Sequence, residues 1–240
     1  MSIVASPKTI NLALQGGGSH GAFTWGVLDR LLEKSNLTIE NIGGTPYWDG
    51  GYTGNPAIFP LIYNCESPDV VLVQITPLTR RGTPETPTEI INRLNEISFN
   101  AAIIGEMHAI ALAQRVIEED NLKKRWLKDI FRIFRSILRP IFRVKAWNRS
   151  KGFVIGYRYV SVAKGRRNSE AARLKNMNMH VISAEDQMRE LDALSKLNAS
   201  MDFLLHLKEI GRKAADAWLM RNWQMIGEGS SVDIRQMFLD

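Results

Sequence analysis

The feature that most constrains the fold of this chain is an apolar run, a glycine turn and an amphipathic segment in immediate succession. Residues 9–14 form a short, mostly apolar run that ends just before three glycines, Gly16 to Gly18. From Gly21 to Lys34, apolar residues recur at helical spacing. A buried strand gives such a run, and glycines allow a turn too tight for other residues. The succession predicts the opening unit of an α/β fold.

Four further segments extend the same pattern along the chain. Residues 69–75 and 178–184 are rich in apolar and β-branched side chains and predict buried strands. Apolar residues at helical spacing predict helices over residues 88–113 and 201–223. Residues 43–60, dense in glycine, proline and aromatic side chains, predict a loop. The alternation of strands and helices predicts an α/β fold.

Composition is that of an ordinary globular protein. Of the 240 residues, 45% are apolar and 23% are charged. Cys65 is the sole cysteine, which excludes an intrachain disulfide. The sequence opens without a signal-peptide pattern, and no stretch approaches the roughly 18 apolar residues of a membrane-spanning helix. We expect a cytoplasmic protein with one domain over residues 1–240, of which residues 185–240 are helical.

The charge is distributed very unevenly. Between Asn121 and Lys175 there are 17 Lys and Arg residues against two acidic residues, Asp129 and Glu170, which gives this basic segment a net charge of +15. The rest of the chain carries 14 basic and 23 acidic residues, a net charge of −9. Such a local excess of one sign indicates an anionic partner for the basic segment.

Within the basic segment, residues 122–147 have apolar pairs at helical spacing with basic residues between them, and Pro140 predicts a kink. A cationic amphipathic helix of this kind is typical of attachment to an anionic membrane surface, here the inner surface of the membrane. The alternative is a helix that packs on the core and leaves its basic face in water. Residues 163–176 are also basic, but no pattern of base-stacking aromatic residues supports nucleic acid as a partner. The candidate membrane-contacting residues are Lys124, Trp126, Lys128, Phe131, Arg132, Phe134, Arg135, Arg139 and Arg143.

The glycine turn allows three interpretations. Gly17 to Gly21 matches G-x-S-x-G, the turn that presents Ser19 as a nucleophile in α/β-hydrolases. The turn could instead offer backbone N–H groups to an anion. Its glycines also fit G-x-G-x-x-G, but the acidic residue that dinucleotide sites carry about 20 residues further on is missing after a second strand.

Two blocks of sequence carry a resemblance to a known family. Residues 12–33, LALQGGGSHGAFTWGVLDRLLE, and residues 45–62, TPYWDGGYTGNPAIFPLI, resemble the patatin-like phospholipases, and the later segments VQITPLTRRGTP, LNEISFNA and SKLNASMDFLLHLKEIGRKAADAWL resemble a bacterial branch of that family. The resemblance implies a three-layer α/β/α sandwich that hydrolyses lipid acyl esters without a cofactor or metal. It also implies that the glycine turn forms the oxyanion hole, comprising Gly16, Gly17, Gly18, Ser19, His20 and Gly21.

The family's second motif, D-G-[GA], corresponds to Asp49, Gly50 and Gly51. The resemblance implies that Asp49 is the proton acceptor of a serine–aspartate dyad. The family's nucleophile elbow and a long core region should precede this motif, yet only 28 positions separate Gly21 from Asp49. The chain therefore lacks the expected nucleophile and part of the central sheet, with the truncation near residues 40–43.

Ser19 is the only serine with an elbow-like context and would need His20 or Asp49 as its base. The sequence therefore predicts a patatin-like lipid acyl hydrolase with impaired catalysis. The alternative is a non-catalytic protein that acts at a membrane surface or in an interaction. The four histidines, His20, His108, His180 and His206, lack metal-ligand spacing, and none is expected in a triad.

Overall fold

The computed structural model describes residues 7–43, 55–80, 82–138 and 172–238 of the chain. These divide into two compact units. One unit contains the residues up to Ala111 together with those from Asn176 onward, and the other runs from Leu112 to Lys175. The sheet and the candidate sites lie in the first unit.

A parallel four-stranded sheet forms the centre of the first unit. Its strands are β1 (Lys8–Leu14), β2 (Leu37–Gly43), β3 (Asp69–Gln74) and β4 (Asn178–Ser183), in the spatial order β2-β1-β3-β4. Each neighbouring pair is parallel. The three strands predicted from apolar runs are confirmed, and the fold is α/β.

Besides a helical segment at residues 172–176, six α-helices accompany the strands in the described residues. They are α1 (Gly21–Leu32), α2 (Phe59–Asn64), α3 (Pro87–Leu138), α4 (Glu185–Arg189), α5 (Met201–Asn222) and α6 (Ile234–Phe238). Short 3-10 turns occur at Gly18–His20, Leu194–Leu197 and Trp223–Met225. The helices predicted at 21–34, 88–113 and 201–223 are present, but α3 continues 25 residues beyond the predicted end at Ala113.

Helix α3 belongs to the first unit as far as Ala111 and to the second unit from Leu112. Residues 122–138 of the predicted amphipathic helix are helical, which confirms that part of the prediction. Arg139, Pro140 and Arg143 lie outside the described residues, as do the side chains of the other candidate membrane-contacting residues. None of the described helices is long and apolar enough to span a membrane.

The hydrophobic core lies on one face of the sheet, between the strands and the pair α1 and α5. Its members from the sheet alternate along each strand, as side chains on one face of a sheet must. They include Ile10, Leu12, Val71, Val73 and Ile182, which pack with Phe23, Val27, Leu31, Leu207 and Trp218 of the two helices.

The opposite face of the sheet carries the alternate residues of each strand. Ala13, Val70 and Leu72 are fully buried outside that cluster, as are Ile103 and Met107 of α3. The connections from β1 to β2 and from β3 to β4 run in opposite directions across the sheet. Right-handed crossovers therefore place α1 and α3 on opposite faces.

Two glycines bring α1 and α5 into backbone contact. A Cβ atom at Gly26 would overlap the carbonyl group of Lys208, and a Cβ atom at Gly211 would overlap that of Phe23. Asp29 of α1 forms ion pairs with Lys208 and Arg212 of α5 beside this contact. The resulting pair of helices fixes where α1 begins, and therefore where the glycine turn lies.

The strand order identifies one crevice as the natural place for a ligand. From β1 the chain crosses to β2 on one side, while β3 pairs with β1 on the other side. The connections that leave the carboxyl ends of β1 and β3 therefore diverge. In open parallel sheets ligands bind at such a switch point, and here the glycine turn lies in it.

Candidate functional site

A buried amide network fixes the carboxyl ends of β1 and β3 at the switch point. The Oε1 atom of Gln15 accepts hydrogen bonds from the N–H groups of Ile75, at 2.8 Å, and Thr76, at 2.7 Å. Its Nε2 atom donates to Oδ1 of Asn100 at 3.0 Å, and Nδ2 of Asn100 donates to the carbonyl oxygen of Pro77. Both amides are almost fully buried. The entrance to the glycine turn is therefore rigid.

The first glycine of the turn is held by a side chain from outside it. The N–H group of Gly16 donates to Oδ1 of Asn55 at 2.5 Å, while Nδ2 of Asn55 donates to the carbonyl oxygen of Gly16 at 3.3 Å. The same nitrogen lies 3.4 Å from the carbonyl oxygen of Phe99. Because its N–H group is engaged, Gly16 anchors the turn and does not offer a donor to a ligand.

Gly18 is required by its conformation and by its surroundings. Its φ angle of +56° lies in the left-handed region that favours glycine. A Cβ atom here would lie 2.6 Å from the carbonyl oxygen of Lys196, in the 3-10 turn Leu194–Leu197. One side of the glycine turn therefore packs directly on the backbone of that second turn.

Three backbone donors of the turn remain for a ligand. Among the described residues, no hydrogen-bond acceptor meets the N–H groups of Gly17, Gly18 and Ser19. The following N–H groups are engaged, since His20 donates to the carbonyl oxygen of Gly17 and Gly21 to that of Gly18. The three donors lie at the N-terminus of α1, where the helix dipole favours a negative charge.

Ser19 does not occupy the position of an elbow nucleophile. It lies within the 3-10 turn Gly18–His20, and the strained left-handed residue is Gly18. In the G-x-S-x-G elbow the serine itself occupies the strained turn between strand and helix. The Ser19 hydroxyl forms no hydrogen bond with the described residues, and the imidazole of His20 contacts a different serine. The structure thus does not pair Ser19 with His20 as its base.

His20 instead ties the start of α1 to the Leu194–Leu197 turn. Its Nε2 atom lies 2.7 Å from Oγ of Ser195, and that hydroxyl donates to the carbonyl oxygen of Asp192. Burial lowers the pKa of His20 to about 4, assisted by the positive charge of Lys196 and opposed by Asp192. The imidazole is therefore neutral near pH 7. With the Ser195 proton committed to Asp192, the Nε2–H group of His20 is the donor.

Lys196 brings a positive charge to the edge of the site. Its ammonium group lies 3.8 Å from the centre of the Phe99 ring and donates to Oδ1 of Asn95. Lys196, His20 and Thr76 line a cavity of about 20 Å³, which is room for a single water molecule. The hydroxyl of Thr76 is buried and has no partner in the described part of the chain. Lys196 therefore both lines this cavity and packs against Gly18 of the glycine turn.

The resemblance implies a second motif, D-G-G, beside the glycine turn. Asp49, Gly50 and Gly51 lie outside the described residues. Among the residues that are described, no group of three or more His, Cys, Asp or Glu side chains is placed to hold a metal ion.

One histidine cluster has no counterpart among the motifs of the sequence. His180 in β4 lies between the carboxylate of Asp69, 3.1 Å from Nε2, and the hydroxyl of Ser231, 3.0 Å from Nδ1. His180 thus lies in a serine–histidine–aspartate cluster that the sequence did not predict. Its neighbours lie 111 and 51 residues away along the chain, a separation that no short motif reveals. The only local signal was the placement of a histidine and an aspartate in strands that are otherwise apolar.

Comparison of the chain with family models, with curated proteins and with solved structures finds no match.

Proposed function

We propose that the chain is a patatin-like protein that binds the carbonyl or carboxylate oxygen of a lipid acyl group at its glycine turn, with hydrolysis impaired by the missing elbow serine. One observation carries the proposal: the N–H groups of Gly17, Gly18 and Ser19 are without acceptors among the described residues, at the switch point of the sheet. The motifs of residues 12–33 and 45–62 add the family resemblance. On that resemblance the fold is a three-layer α/β/α sandwich.

The chemistry of ester hydrolysis explains what such a turn is for. Attack on an ester carbonyl places a negative charge on its oxygen, and one preorganised backbone donor lowers the barrier by about 3–4 kcal/mol. The dipole of α1 and the charge of Lys196 act in the same direction. By the resemblance, Asp49 accepts the proton of the nucleophile. Among the described residues, neither β1 nor β3 is followed by a serine in an elbow turn. Oxyanion binding is thus retained without the group that would generate the oxyanion.

A second candidate function follows from the basic segment. Helix α3 continues without a break into residues 122–138, which carry the first part of that segment. A non-catalytic protein that attaches to an anionic membrane surface through this helix would need neither Asp49 nor a nucleophile. Each basic residue near an anionic surface contributes about 1 kcal/mol to such binding. The two functions are compatible, since the same surface supplies lipid acyl groups.

Hydrolysis of p-nitrophenyl butyrate by the purified chain tests whether catalysis is impaired. Ser231 lies beside His180, and hydrolysis at that serine would obscure a reaction at the glycine turn. The assay therefore compares the Ser231→Ala variant with the unaltered chain. We expect rates near those of buffer for the Ser231→Ala chain, unchanged by adding Ser19→Ala or Asp49→Ala. Substantial turnover that either substitution abolishes would contradict impaired catalysis and would assign the nucleophile to the glycine turn.

A further inference from the structure

A serine, a histidine and an aspartate meet at the amino-terminal end of the sheet, opposite the glycine turn. Asp69 is the first residue of β3, His180 lies in β4, and Ser231 precedes α6. Oγ of Ser231 is 3.0 Å from Nδ1 of His180, and Nε2 of His180 is 3.1 Å from Oδ1 of Asp69. All three residues belong to the same compact unit.

The direction of the hydrogen bonds follows from the charge of Asp69. Burial alone would raise the pKa of its carboxyl group, but hydrogen bonds from His180, from the N–H group of Gly227 and from the amide of Asn178 hold that pKa below its usual value. An ionised carboxylate only accepts, so Nε2 of His180 carries the proton. In the neutral form of His180, Nδ1 is then an acceptor, and the Ser231 hydroxyl donates to it.

The surroundings hold the imidazole and the hydroxyl in these positions. The His180 ring is fully buried and meets the Trp218 ring edge-on, with ring centres 5.7 Å apart. Ser231 is pinned to the outer edge of β4, because its N–H group donates to the carbonyl oxygen of Met179 at 3.0 Å. Ser231 itself is half-buried, so part of this residue is open to solvent.

We propose that Ser231, His180 and Asp69 form a nucleophilic serine site that accepts small carboxylic esters, separate from the glycine turn. An ionised carboxylate, an oriented imidazole and a serine hydroxyl, connected in this order, are the parts by which a serine is activated for attack. In the common arrangement Nε2 of the histidine faces the serine and Nδ1 faces the aspartate, whereas here Nδ1 faces Ser231 and Nε2 faces Asp69. In both arrangements the serine donates to the imidazole and the imidazole donates to the carboxylate.

The reaction proceeds in two balanced steps. Oγ of Ser231 forms a bond to the ester carbonyl carbon while its proton moves to Nδ1 of His180. The intermediate then expels the alcohol, which takes that proton and leaves an acyl-serine. Water attacks the acyl-serine by the same route, and the carboxylic acid departs as the serine regains its proton. Asp69 remains ionised throughout and acts as a positioning residue for the imidazole.

A fluorophosphonate probe with mass-spectrometric mapping of the labelled serine tests this site directly. We expect Ser231 in the unaltered chain to react about 100-fold faster than any other serine, because general-base assistance contributes about that factor or more. Ser231→Ala should abolish the labelling, whereas the control Ser200→Ala, at an exposed serine whose side chain does not cap α5, should retain it. Absence of labelling, or equal labelling of Ser200 and Ser231, would overturn the proposal.

A second measurement leaves the histidine and aspartate intact and so avoids variants that fail to fold. The Ser231→Cys thiol, placed beside His180, should react with iodoacetamide about tenfold faster than the thiol of Ser200→Cys at an exposed position, because a neighbouring base favours the thiolate. The native Cys65 is buried and serves as an internal reference. Equal rates for the two new thiols would mean that the hydrogen bonds only tie the C-terminal segment to β4.

The outcome is independent of the proposed lipid function. The Ser231 site lies at the amino end of the sheet and the glycine turn at its carboxyl end. Ester turnover that is lost in Ser231→Ala and retained in Ser19→Ala belongs to the Ser231 site alone. Binding of an acyl group at the glycine turn is measured without turnover, so either proposal can fail while the other stands.

Discussion

The side-chain amide of Asn55 binds both backbone groups of Gly16, accepting a hydrogen bond from its N–H group and donating one to its carbonyl oxygen. The contact joins a residue that follows the DGG block to the first glycine of the turn, 39 positions earlier. It decides which N–H groups of the turn are left for a ligand, because that of Gly16 is occupied, whereas those of Gly17, Gly18 and Ser19 have no acceptor among the described residues.

Replacing Asn55 with alanine should loosen the glycine turn. The variant loses the hydrogen bonds to Gly16 and Phe99, and we expect the free energy of unfolding to fall by about 1–3 kcal/mol. The amide proton of Gly16 should exchange with solvent faster than in the unaltered chain. Hydrogen exchange followed by NMR measures both effects. Asn64→Ala, at an exposed position in α2, is the control and should change neither. Unaltered exchange at Gly16 in Asn55→Ala would contradict the anchoring role.

Two glycines of the turn should respond oppositely to alanine. Gly18→Ala places a methyl group 2.6 Å from the carbonyl oxygen of Lys196 in a left-handed backbone, so we expect a loss of at least about 2 kcal/mol of unfolding free energy. Gly21→Ala has open space for its Cβ atom and lies in the first turn of α1, so stability should be unchanged or slightly higher. Urea denaturation measures both variants. Equal effects would contradict the packing of Gly18 on the Leu194–Leu197 turn.

The depressed pKa of His20 should make stability depend on pH. Its pKa of about 4 in the folded state lies below the unfolded value of 6.5, so the unfolded state binds more protons between these values. Stability is therefore fully present above about pH 6.5, falls as the pH is lowered and levels off below about pH 4, with a loss of at most about 3 kcal/mol. His20→Gln keeps a donor for Ser195 but cannot titrate. Urea denaturation across this range should show a smaller slope for the variant, and an identical slope would contradict the assignment.

Asp69 affects stability at lower pH than His20 does, so the contributions of the two groups can be distinguished. Its pKa is lowered from 3.8, so its contribution is present above that value and is lost as the pH falls further. The loss due to His20 should therefore be nearly complete before that due to Asp69 begins.

Several elements of the fold could be predicted because their signal is local. The apolar run at residues 69–75 predicts a buried strand, and the helical spacing of apolar residues at 201–223 predicts a helix. Both elements are present nearly as predicted. The end of α3 was placed too early, since the basic residues after Ala113 interrupt the apolar pattern without interrupting the helix. Periodicity reports packing, whereas a helix can continue through polar residues that have adequate helix propensity.

The candidate sites depend on contacts that the local pattern does not encode. Asn55 reaches Gly16, and Lys196 closes the other side of the turn, from positions far along the chain. The approach of Asp69, His180 and Ser231 depends on the pairing of β3 with β4 and on the return of the C-terminal segment to β4. The sequence could therefore predict the glycine turn itself but not which of its donors remain available.

Membrane attachment through the basic segment is tested by co-sedimentation with vesicles. We expect binding to vesicles that contain phosphatidylglycerol, weak binding to neutral phosphatidylcholine vesicles, and release at high salt, because surface charges are screened. Reversing two charges, in Arg132→Glu with Arg135→Glu, should reduce binding by at least about tenfold. Equal binding to anionic and neutral vesicles would contradict electrostatic attachment.

The most direct test of the account observes the proposed donors themselves. In amide NMR spectra of the labelled chain, decanoate, whose carboxylate stands in for an oxyanion, should shift the N–H signals of Gly17, Gly18 and Ser19 downfield in a saturable manner. The N–H signals of Gly82 and Gly227, which lie in other turns, should stay in place. Saturable shifts elsewhere in the spectrum with none at Gly17, Gly18 and Ser19 would contradict the assignment of the glycine turn as an oxyanion-binding site.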